Sequence, residues 1–105
     1  MQPELVDALF IEETHRFTLT EVVRISGLAP ADLDVLVVCG AIAPQDRTAA
    51  QWTFSAWSVD VARRARALRD EFAIDDVHAV AVLVRFEARV RSLEREIAAL
   101  RARLG

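Results

Sequence analysis

Seven apolar residues near the C-terminus, Leu83, Phe86, Val90, Leu93, Ile97, Leu100 and Leu104, recur at alternating intervals of three and four. That spacing holds one apolar stripe on a helix through three heptads, the pattern of helices that pair along their length. A helix of nearly thirty residues, rising about 1.5 Å per residue, outruns any core that a chain of 105 residues can build. From about Val90 the stripe must therefore find another surface: a second copy, a helix folded back on it, or a partner. Charges between the stripe positions contribute less. Glu87 and Arg91, four apart, form a favourable pair worth only about 0.2–0.5 kcal/mol.

Upstream of the stripe the chain reads as short elements. Residues 1–15 are left unassigned, although Leu5, Leu9 and Phe10 could face a core from a helix or a strand. "RFTLT" has Phe17 and Leu19 on one side of a brief extended segment. Thr20 is a good N-cap for a helix carrying Val22, Val23 and Ile25, and Gly27 stops it. A second helix starts at Ala29 or Pro30, buries Leu33, Leu36 and Val37, and stops at Cys39–Gly40. Two short helices joined by a tight turn make a helix-turn-helix unit. "AIAPQDRTAAQWTFS" then reads as a two-stranded wing, with Ile42 on one strand and Trp52 and Phe54 on the other. Ser55 or Ser58 caps a third helix, whose apolar face is Val61, Ala65, Leu68 and Phe72. Asp75 caps the last helix. The expected fold is mainly α: a winged helix-turn-helix over residues 16–74 and a long heptad helix over 75–105.

The chemistry on offer is sparse. His15 and His78 have no metal-ligating neighbours at ligand spacing, Cys39 has no adjacent base, and there is no Gly-rich phosphate loop. Neither an enzyme, a cofactor nor a small-molecule substrate is expected. A single cysteine and the lack of any apolar run near 18 residues suit a cytoplasmic protein off the membrane. Charge is divided: residues 1–60 hold 9 acids and 3 arginines, whereas 61–105 hold 7 acids and 10 arginines. This division bears on the helix-turn-helix. A helix that reads DNA sets Arg, Lys, Asn or Gln against base edges, and here it offers only Asp32 and Asp34. Phosphate contacts would fall to Arg63, Arg64, Arg66 and Arg69 on the third helix, which keeps a DNA-binding regulator as the alternative, with salt-dependent retention on duplex DNA as its signature. A dimeric interaction module with another client is a further alternative.

The order of elements resembles the MerR-type winged-helix architecture. Taken together, "FTLTEVVRISGLAPADLDVLVVCGAIAP" (Phe17–Pro44), "WTFSAWSVDVARRARALRDEFAIDDVHAVAVLV" (Trp52–Val84) and the Leu/Arg/Glu-rich tail to Leu104 resemble the CbpM-type chaperone modulators. MerR-type regulators place an Arg and usually a Tyr in the recognition helix. The "ADLDVLVV" found here departs from that pattern. The resemblance implies a non-enzymatic cytoplasmic protein that binds the J-domain of a DnaJ-like co-chaperone and blocks its engagement of a DnaK-type chaperone. It also implies a homodimer formed through the last helix along Phe86, Val90, Leu93, Ile97, Leu100 and Leu104. J-domains present a basic helix, so an acidic surface drawn from Glu21, Asp32, Asp34, Asp46 and Asp60 is expected to meet it. Rim charges chiefly set the rate of encounter, and an apolar anchor must supply affinity. Trp57, read as lying one residue before the third helix, is the favoured anchor, with a place in the core as the alternative.

Overall fold

The fold follows from where each helix finds its caps. In the computed structural model, which describes residues 15–105, the order is β1 (Phe17–Thr18), α1 (Leu19–Ser26), α2 (Pro30–Val38), β2 (Thr53–Phe54), α3 (Ala56–Phe72) and α4 (Val77–Leu104). The reading of Leu5, Leu9 and Phe10 lies outside the described residues.

Thr18, not Thr20, caps α1. Counted from Thr18, Glu21 is the third helical residue, so the two side chains exchange hydrogen bonds with each other's backbone. Glu21 N–H donates to Thr18 Oγ1 over 3.1 Å and Thr18 N–H to Glu21 Oε1 over 2.9 Å. From Thr20 the glutamate could not reach back, which is why the earlier threonine wins. The cap shortens the extended lead-in to Phe17 and Thr18. Helix α2 begins with Pro30 in its first turn and ends in a paired turn: Gly40 N–H donates to Val37 O and Ala41 N–H to Leu36 O. Gly40 adopts φ +77°, the left-handed conformation that this closure requires.

The sheet has two strands, and its first strand is the lead-in. β1 pairs antiparallel with β2, Phe17 opposite Phe54 and Thr18 opposite Thr53. The strand expected at Ile42 is absent. The turn closing α2 carries Ile42 directly into the core, and only further on does Gln45 N–H reach Thr53 O, at 2.8 Å. Phe54 is fully buried, with Trp52 edge-on beside it at 6.4 Å between ring centres.

Ser55 caps α3 by accepting from Ser58 N–H over 3.2 Å, so Trp57 lies inside the first turn rather than before it. Ser58 itself is buried, its hydroxyl turned to Ser55 Oγ and Ala43 O. Val61, Ala65 and Leu68 enter the core with Val59 and Ala62. Phe72 does not: it stands 61% exposed on the last turn, where the helix has passed the edge of the core. Asp76 rather than Asp75 caps α4, its Oδ1 accepting from His78 N–H over 2.9 Å.

The core joins Phe17 and Phe54 of the strands with Val22, Leu33, Leu36, Ile42 and Val59, and α4 closes it with Val80, Ala81 and Val84. Among the described residues no buried side-chain nitrogen or oxygen lacks a partner. Beyond Val84, α4 buries nothing fully. Phe86 is two residues past Val84, about 200° around a helix, and it is 66% exposed. The heptad stripe thus runs along the side of α4 opposite its core face. It is open from Leu83 onward, not only from Val90, because core and stripe occupy different faces. Among the described residues, no helix is long and apolar enough to cross a membrane.

Candidate functional site

A cleft runs between α3 and α4, built from two helical ridges. Trp57, Asp60, Val61 and Arg64 line it from α3, and Val84, Glu87, Ala88 and Arg91 from α4. On each helix the spacing is i, i+3, i+4, i+7, the set that faces one neighbour. Val61 and Val84 form the floor. Arg64 crosses the cleft: its Nε donates to Glu87 Oε1 at 2.7 Å and its Nη2 to Glu87 Oε2 at 2.7 Å, a two-pronged pairing. Arg91 Nη2 adds a bond to Glu87 Oε1 at 2.7 Å. These donors, Arg64 foremost, hold the Glu87 carboxyl below its ordinary value of 4.5, and Glu87 in turn raises the Arg64 guanidinium. One end of the cleft is thereby rigid and already paired.

The other end is open. Trp57 is 61% exposed, on a helix whose other large apolar side chains up to Leu68 are covered. Its capped first turn fixes it there, and the core alternative for this side chain falls. Asp60 stands exposed one turn along. An indole with an exposed carboxylate beside it and a paired arginine behind offers an apolar anchor with a charged rim.

The remaining acids lie elsewhere and serve different partners. Glu21 is held in the α1 cap, and Thr18 lowers its carboxyl first through the backbone N–H. Asp32 accepts from Arg69 Nη1 at 3.2 Å, tying α2 to α3. Asp46 accepts from the hydroxyl of Thr48 at 2.6 Å and from its N–H at 2.9 Å, which lowers the Asp46 carboxyl. Asp34 is exposed on α2. Trp57 and Asp60 are therefore the two expected partner-binding residues that one cleft brings together, with Arg64, expected as a phosphate contact, behind them. Glu87, Val84 and Arg91 join them without having been singled out as site residues. Glu87 and Arg91 carried a visible signal only as a pair within one helix.

The arginines of α3 are largely engaged inside the molecule. Besides Arg64, Arg66 donates to Gly27 O and to Asp70, both at 2.7 Å. Arg69 bridges Asp32 and Asp70. Arg63 is half-buried on the same helix. Among the described residues no group of three His, Cys, Asp or Glu side chains is placed to hold a metal ion. His15 packs edge-on against Phe17 at 4.4 Å, and Cys39 ends α2 with its carbonyl accepting from Arg85 over 3.1 Å.

No protein-family model matches the chain. Among curated proteins it is similar to the chaperone modulatory protein CbpM of Salmonella arizonae. The two are 30% identical over 86 residues, which cover 80% of this chain and 85% of the relative. With an alignment that takes in most of both proteins at that identity, the chain belongs to the CbpM family of chaperone modulatory proteins.

Proposed function

We propose that this protein is a non-enzymatic, cytoplasmic modulator that binds the J-domain of a DnaJ-like co-chaperone and keeps it from a DnaK-type chaperone. The observation that carries the reading is Trp57: a large aromatic held out to solvent by a capped helix turn, beside an exposed carboxylate, in a protein related to CbpM. Exposed indoles fixed on rigid helices are the usual anchors of protein interfaces, and the α3–α4 cleft gives this one a seat. Acids steer the approach. Asp60 and Asp34 stand exposed, and Glu21 and Asp46 keep their charge at the surface while bonded locally. Asp32, paired with Arg69, belongs to the scaffold instead. In the same reading the molecule works as a homodimer held by α4, in the manner of MerR-type winged helices.

Calorimetry with the J-domain tests it. Trp57→Ala should weaken binding by about thirtyfold, the loss typical of an anchor residue, without lowering thermal stability. Asp34→Arg together with Asp60→Arg should slow association and flatten its salt dependence. Unchanged affinity in a folded Trp57→Ala protein ends the reading of the cleft.

A further inference from the structure

We infer that the α3–α4 cleft selects its client by a side-chain carboxylate, which Arg91 receives next to the apolar contact at Trp57. The inference rests on the reading of the cleft above and adds the group that the client must carry.

The first ground is a count of charge. Glu87 is one negative group shared by two positive ones. Its Oε1 accepts from Arg64 Nε and from Arg91 Nη2, and its Oε2 accepts from Arg64 Nε at 2.9 Å and from Arg64 Nη2 at 2.7 Å. Two oxygens that each accept twice have no lone pair left to offer. Among the described residues, Arg64 and Arg91 form ion pairs with Glu87 alone. The cluster therefore keeps one unit of positive charge.

The second ground is where the unspent donors lie. A guanidinium carries five N–H donors. Arg64 spends its Nε and Nη2 on Glu87, whereas Arg91 spends Nη2 only. The Arg91 side chain is 51% exposed, against 24% for Glu87, so its remaining donors face outward while the bond to Glu87 holds the group in place. A charged donor fixed in this way binds an incoming carboxylate without first having to be ordered.

The third ground is the company Arg91 keeps. It lines the same cleft as Trp57 and Asp60, over a floor of Val61 and Val84. Asp60 stands on the α3 wall and Arg91 on the α4 wall, so the cleft is negative on one side and positive on the other. An acidic rim alone would receive any basic helix. Arg91 repels a helix that brings a cation to the α4 wall and draws in one that brings an acid there, so it discriminates between clients of the same overall charge. The fitting client is basic as a whole and carries an Asp or Glu side chain beside the apolar residue that meets Trp57.

Calorimetry with the full chain and the J-domain tests this as a double-mutant cycle. Arg91→Gln should weaken binding about fivefold or more. Its melting temperature should stay within about 2 °C of the wild type, since an exposed pair within one helix contributes little and Arg64 still holds Glu87. Each Asp and Glu of the J-domain is then changed in turn to Asn or Gln. One position should weaken the wild-type complex by a similar factor and add nothing to Arg91→Gln. A lysine placed at that position should bind Arg91→Glu better than it binds the wild-type chain. Unchanged affinity in Arg91→Gln, or losses that add at every J-domain carboxylate, overturn the inference, and the reading of the cleft then stands or falls by Trp57→Ala. A J-domain that does not bind the wild-type chain overturns both.

Discussion

Glu87 is the residue on which the junction of α3 and α4 turns, because it accepts from an arginine of each helix. Its carboxyl is held below 4.5, so folding favours the ionised form. Its contribution is therefore complete above 4.5 and is lost as pH falls through the lowered folded value. Both side chains of the Arg64–Glu87 pair are partly reached by solvent, which limits the contribution to about 1 kcal/mol despite the two-pronged geometry. Glu87→Gln should accordingly lower the melting temperature at pH 7 by about 5 °C. That gap should close as the pH falls below 4.5, once the wild-type carboxylate is protonated too. Thermal melts followed by circular dichroism across that range check both size and sign; a gap that widens in acid contradicts the assignment.

At the scale of elements, α3 ends on a conformational compromise. Ala73 takes φ +52°, left-handed for a residue with a Cβ, so that Ile74 N–H can close onto Arg69 O. The strain is about 1–2 kcal/mol, against about 0.4–1 kcal/mol of extra chain entropy that glycine brings to the unfolded state. Ala73→Gly should therefore stabilise the fold by about 0.5 kcal/mol, measurable as a shifted denaturant midpoint at constant slope. Elements with their signals inside one turn were legible in the sequence. Gly27 and Gly40 as stops, Pro30 in a first turn and the buried faces of α2 and of α3 as far as Leu68 all follow from spacing; Phe72, placed on the same α3 face, does not. Caps chosen between neighbours were harder: Thr18 over Thr20 depended on Glu21, and Asp76 over Asp75 shifted α4 by one residue. What spacing could not show were partners distant in the chain. β2 chose Phe17 rather than Ile42, and Asp32, read as a surface acid, found Arg69 thirty-seven residues away. The cleft was half legible for the same reason. Trp57 and Asp60 sit on one helix, but Arg64 meets Glu87 only once α3 and α4 are packed.

Across the whole molecule, a head of buried side chains is joined to a helix that outlasts it. Residues 93–105 are all exposed, so removing them takes nothing from the core. A chain ending at Ser92 should melt within about 4 °C of the isolated full-length subunit, while losing any tendency to pair. Light scattering and circular dichroism on the same sample separate the two effects. The junction with the head is short, since α4 is held by Val80, Ala81 and Val84, with the Glu87 clamp just beyond. From Val84 to Leu104 the free part measures about 30 Å, at 1.5 Å per residue. It is a lever with its pivot in the wall of the cleft. A tilt of about 10° at that pivot sweeps the far end through about 5 Å, close to one helical turn. In the proposed dimer two such levers lie yoked along their length, so prying open one cleft should transmit torque to the other and alter the reception of a second client.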